Sequence, residues 1–88
     1  MPTYLVESYQ PKGGASPKAV AALLGQAPDT RHRWSLLLPE EDICFHLLDA
    51  PSAKGVRDAA ARARLRCQRV SEVVLLPADQ LEIEGGSA

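Results

Sequence analysis

The sequence predicts a single α+β domain: a four-stranded antiparallel sheet with two helices on one face and the other face open. Three observations predict it. Apolar periodicity switches between about two and about 3.6 residues in the order β-α-β-β-α-β. Both helical stretches are entered at a serine beside a proline, Ser16-Pro17 and Pro51-Ser52. The strand stretches carry apolar residues at both parities instead of one.

Thr3–Tyr9 (TYLVESY) is rich in aromatic and β-branched residues and reads as the first strand. Gln10–Gly14 breaks it. Ser16 then caps a helix with Pro17 at its first position, running to about Gly25 with Val20, Leu23 and Leu24 as its apolar stripe. Arg31–Leu38 (RHRWSLLL) is the second strand, and Ile43–Leu48 (ICFHLL) the third. The four-residue link between them, Pro39–Asp42, predicts a hairpin. Ser52 caps a second helix over about Ala53–Arg64, with Val56, Ala59, Ala60 and Ala63 on one face. Arg69–Leu76 (RVSEVVLL) is the fourth strand, stopped by Pro77. The domain is expected to span residues 1–77, and residues 78–88 to form an acidic, flexible tail whose QLEIE stretch has the makings of a further short strand.

Right-handed crossovers turn this order into the split βαβ, or ferredoxin-like, arrangement, with strand order 4-1-3-2. Helices then cover one sheet face only. Ile43, Phe45 and Leu47 form one apolar stripe of the third strand, and Cys44, His46 and Leu48 the other. A second apolar face calls for a cover, and a second copy of the same sheet is the simplest one. The expectation is a homodimer packed sheet to sheet, a dimeric α/β barrel. The same order places Cys44 and Cys67 two strand spacings apart, roughly 9–10 Å. That exceeds the limit of about 7 Å between bridged α-carbons, so no intrachain disulfide is expected.

Length and charge bound the function. The chain has 88 residues, 45% hydrophobic and 24% charged, which excludes a disordered or collagen-like chain. A domain this small buries only about 60% of its unfolded surface. No apolar run approaches the roughly 18–20 residues of a membrane span, and the N-terminus reads as strand instead of leader, so a cytoplasmic protein is expected. The net charge of −1 hides a polarised chain: residues 1–49 sum to −2, residues 50–69 to +5 and residues 70–88 to −4. The basic stretch, with Arg57, Arg62, Arg64 and Arg66, lacks the interleaved aromatics of a nucleic-acid platform. It reads as a solvated helix face, and neither nucleic acid nor membrane is expected as a partner. Ser8, Ser35 and Ser71 sit in no nucleophile elbow, and Lys12-Gly13-Gly14 lacks phosphate-loop spacing.

Several of these pieces together resemble a small bacterial ferredoxin-like family of unknown function, some of whose members are labelled nickel-binding or nickel-responsive. They are TYLVESY, LPEED, LLDAPSAKGVRDAAARA and QRVSEVVLL, covering Thr3–Leu76. The turn Asp49-Ala50-Pro51 and the RVSEV strand are the most specific of them. The resemblance implies a dimeric α/β barrel. It departs from the family in a shortened first helix, in Ala59 and Ala60 where the family often carries a histidine, and in His46 where the family commonly has cysteine.

The candidate site follows from one assumption, that Ile43, Phe45 and Leu47 face the helices. Cys44 and His46 then face the open side, and Glu7 and Glu72 join His46 at mid-sheet. A histidine, two carboxylates and a thiol suit a divalent transition metal such as nickel, so His46, Glu7, Glu72 and Cys44 are candidate ligands. Glu7, His46, Glu72 and Trp34 are candidate small-ligand residues. The plainer alternative pairs both glutamates with arginines and leaves His46 as a satisfied core histidine. His32 shares a parity with Trp34 and reads as a half-exposed edge residue, and Trp34 as an interface or core anchor. The expected function is a homodimer binding a small ligand or a transition metal on the covered face, without catalysis. The alternatives are a cofactor-free barrel enzyme acting on a small hydrophobic substrate with His46 as base, and a regulatory or structural interaction module.

Overall fold

The structure, a computed structural model, describes residues 1–80 except Lys12 and Ala15. The expected QLEIE strand falls at residues 80–84, of which only Gln80 lies within the described residues, in a short 3-10 turn over Ala78–Gln80. No helix among the described residues is long and apolar enough to cross a membrane.

Strand β1 is Thr3–Tyr9, as its β-branched and aromatic content predicts. Helix α1 covers Pro17–Leu24. The Ser16 hydroxyl accepts the Ala19 amide at 3.1 Å, and Gly25 closes the helix. Strand β2 is Arg31–Leu38 and strand β3 is Ile43–Asp49.

Helix α2 covers Ala53–Arg62, with the Ser52 hydroxyl accepting from Gly55. It stops two residues before the expected Arg64. The Arg64 amide donates to the Ala61 carbonyl and the Leu65 amide to the Ala60 carbonyl, both at 3.0 Å, while Arg64 takes φ 57°. This is a Schellman cap with arginine in the position usually held by glycine. Leu65 packs against the core beyond it, so the chain enters the sheet at once. Strand β4 is therefore Arg66–Val73, three residues earlier than the expected Arg69–Leu76. Val74, Leu75 and Leu76 run past the sheet and are exposed.

The sheet order is β2-β3-β1-β4, all pairs antiparallel, which matches the expected 4-1-3-2 order. Four antiparallel strands and two helices are compatible with a ferredoxin-like fold. Cys44 and Cys67 pair with Ser8 from opposite sides of β1, which keeps them two strands apart, and Cys44 is a free thiol.

The core lies between the helices and one sheet face. It is built from Tyr4, Val6, Val20, Leu24, Leu48, Val56, Ala59 and Ala60. Tyr4, Val6 and Ser8 of β1 are buried there, and Cys44, His46 and Leu48 of β3 lie opposite them. This reverses the expected orientation of the third strand. Ile43, Phe45 and Leu47 alternate with Cys44, His46 and Leu48 and belong to the open face, where Leu47 is also buried while Ile43 and Phe45 are half-buried. The cause is Glu7, which shares a parity with Leu5 and Tyr9. A carboxylate under the helices would lose hydration without a partner, so this parity faces outward. Antiparallel pairing of Val6 with His46 then carries His46 inward.

Two register shifts complete the sheet. In the β1–β4 ladder Gln68 is the extra residue. In the β2–β3 ladder His32 pairs with Leu48 and Trp34 with Leu47, so Arg33 is extra.

Candidate functional site

The Arg33 bulge changes which residues meet. Regular alternation of the same residues, with Arg33 paired, would put His32 on the open face with Trp34. With the bulge, His32 sits opposite Leu48, on the helix side, while Trp34 stays on the open side with Leu36 and Leu38. The Arg33 guanidinium lies 3.4 Å from the Asp49 carboxylate, which also accepts the Thr3 hydroxyl at 2.7 Å. These contacts hold the bulge against the end of β3.

His32, Ser35 and His46 then form a hydrogen-bonded chain. Ser35 is the register partner of His46. Its Oγ lies 2.7 Å from His46 Nδ1 and 2.9 Å from His32 Nε2. The two imidazole rings are 6.3 Å apart, tilted by 58°. His46 is fully buried. Burial, with the His32 ring beside it, lowers its pKa from 6.5 to about 4. Its Nε2 is buried with no hydrogen-bond partner among the described residues.

That orphaned nitrogen orders the chain. If Ser35 donated to His46 Nδ1, the proton of the neutral ring would sit on Nε2 as a buried, unpaired N–H. If Nδ1–H donates to Ser35, Nε2 is a bare lone pair instead. Buried unpaired N–H groups are the rarer and costlier of the two. His46 Nδ1–H therefore donates to Ser35, and the Ser35 proton points away from His46.

His32 and Ser35 form the floor of a groove of about 550 Å³ between α1 and β2. Pro17, Lys18, Ala21, Ala22, Gly25 and Gln26 form its other wall. Lys18, Ala21, Ala22 and Gly25 recur at helical spacing, so one stripe of α1 and its cap supplies that wall. The small side chains of the stripe leave the groove open above Ser35.

The expected ligand set is not brought together. Cys44 and His46 lie on the helix side, where burial raises the Cys44 thiol pKa. Glu7 lies on the open side between Phe45 and Arg69. Glu72 is exposed on edge strand β4 opposite Tyr4, two ladder positions beyond the row that holds His46. Among the described residues no group of three or more His, Cys, Asp and Glu side chains could hold a metal ion. Trp34 is 45% exposed on the open face, away from the groove. The placement of His46 as a base within a covered sheet face is corrected in the same way, because it packs under the helices. Sequence reasoning missed Ser35 and misplaced His32. The bulge that joins them leaves no mark in the residue types, since RHRWSLLL carries neither glycine nor proline.

No family model matches the chain, and no curated protein matches it. Among solved structures, SCO4226 from Streptomyces coelicolor A3(2) is similar, with a TM-score of 0.66 and 18% identity over 85% of this chain and 99% of that one. At that identity the likeness speaks to fold alone.

Proposed function

We propose that this chain is a homodimeric, non-enzymatic member of the ferredoxin-like family its motifs resemble, and that it binds a small molecule in the groove between α1 and β2. The observation that carries the reading is the His32–Ser35–His46 chain beneath that groove. Buried polar groups are retained where they are satisfied or used, and this chain ends outward in a hydroxyl at the floor of an open, largely apolar site. The groove is of ordinary ligand-site size, within the range of about 300–1,000 Å³. Binding is favoured over catalysis because His46 has a pKa of about 4 and is a weak base near neutrality. The second copy belongs on the open face, where it would cover Trp34, Leu36 and Phe45.

A nitrogen-15 NMR screen of small aromatic and aliphatic compounds tests the site. Shifts confined to Ala21, Gly25, His32 and Ser35 are expected. A panel that leaves those resonances unmoved removes the groove reading. Stoichiometric uptake of nickel or zinc, lost in His46→Gln, would replace it with the metal reading that the family resemblance implies.

A further inference from the structure

We propose that the groove selects small monocarboxylates with an apolar body, held by the Ser35 hydroxyl and the Lys18 ammonium. The inference rests on the binding reading above and names its ligand class.

Three observations carry it. The first is the direction of the hydrogen-bond chain. His46 Nδ1–H donates to Ser35, so the single Ser35 proton points to the groove side; an acceptor in the groove selects the His32 Nε2–H tautomer, in which Ser35 accepts from both rings and gives its own proton to the ligand. The site therefore presents a donor and recognises an acceptor. His46 touches no ligand here. It is a positioning residue that fixes the Ser35 proton. The second is charge. Lys18 stands on the groove wall, Gln26 is the neutral polar group beside it, and the described residues that line the groove include no acid. A charge-assisted bond from a hydroxyl or ammonium to a carboxylate is about twice as strong as its neutral counterpart. The third is the wall itself. Pro17, Ala21, Ala22 and Gly25 offer apolar surface without bulk, which suits a flat or branched apolar body above the carboxylate. A phosphate would meet one cation and no cluster of backbone amides, a poor match for its higher charge.

Benzoate and benzamide are near-isosteric and differ in charge, so titrating both by calorimetry and NMR isolates the carboxylate. Benzoate is expected to bind saturably, with shifts at Ser35 and Gly25, and benzamide at least tenfold more weakly. Lys18→Gln changes an exposed side chain and leaves the fold intact. It should weaken benzoate about tenfold and leave benzamide unchanged. Ser35→Ala should weaken both. His46→Gln serves as the positioning test. It should weaken benzoate, and the nitrogen-15 shifts of wild-type His46 should report the Nδ1–H tautomer. Equal affinity for the two probes with shifts at Ser35 would overturn the carboxylate assignment and leave the groove reading standing. Benzoate binding insensitive to both Lys18→Gln and Ser35→Ala would overturn it as adventitious. Silence from both probes at the groove resonances would overturn both readings.

Discussion

His46 is the residue whose placement decides most about this molecule. The sequence made it unusual, a histidine in an apolar strand, but left its face open, because both stripes of ICFHLL are apolar. Glu7 was the legible clue, since a lone carboxylate in β1 marks the parity that must stay near water. The His46 pKa of about 4 has a stability consequence with a definite sign. Above pH 6.5 the ring is neutral in both folded and unfolded chains and contributes no slope. Below pH 6.5 the unfolded chain takes up a proton and the folded chain does not, so stability falls until the folded pKa near 4 is reached. The groups facing the ring are His32 and Ser35 from β2. Urea denaturation at pH 7 and pH 4 should show wild type losing about 3 kcal/mol more than His46→Gln, after which the difference levels off. Equal losses in the two proteins would mean that the ring is hydrated.

At the scale of elements, most of the fold was legible and the joints were not. The strand bounds of β1 and β2, both serine caps and the sheet order follow from alternation, capping chemistry and crossover handedness. The end of α2 and the start of β4 do not. They are set by Arg64 at φ 57°, a conformation that residue types predict only when glycine or asparagine is present. Arg64→Gly relieves that strain and should stabilise the protein by about 1 kcal/mol, read as a rise in Tm. A fall in Tm would show that the Arg64 side chain holds a compensating contact. The bulge at Arg33 is the second illegible joint, and it makes the site. Because His32 already pairs with Leu48 and Trp34 with Leu47, deleting Arg33 leaves a regular ladder with His32 still on the helix side. The deletion variant should keep the nuclear Overhauser contact between His32 and Ser35. It forgoes an ion pair that is 45% exposed on the arginine side, a loss of under about 1 kcal/mol. Loss of the contact would show that the bulge orients His32 through more than register.

At the scale of the whole molecule, the two sheet faces divide the labour the sequence hinted at when it carried apolar residues on both. One face holds the core and the polar chain beneath α1. The other presents four rows across the strands: Arg31–Asp49–Thr3–Val73, Trp34–Leu47–Leu5–Ser71, Leu36–Phe45–Glu7–Arg69 and Leu38–Ile43–Tyr9–Arg66. Its β2–β3 half is apolar apart from Arg31 and Asp49 in the end row, and its other charges gather on β1 and β4, with the Arg66 guanidinium over the Tyr9 ring at 5.7 Å. Trp34 and Leu36 are 45% and 51% exposed in the single chain, which is costly for a domain with so thin a core. A two-fold copy laid on this face would bury both and leave the α1–β2 groove open on the far side of the sheet. Leu36→Glu tests this without disturbing the monomer, because the side chain is already half in water. Wild type should sediment as a dimer at micromolar concentration, and the variant should dissociate at least tenfold more readily, since its carboxylate would be desolvated against apolar neighbours. The single tryptophan gives an independent readout, because Trp34 lies on the face in question. Its emission should shift to the red when wild type is diluted to monomer, and should start red-shifted in Leu36→Glu. A wild type that is monomeric throughout, with Trp34 emission independent of concentration, would leave the open face to a different partner and would remove the homodimer from the proposal while leaving the groove site intact.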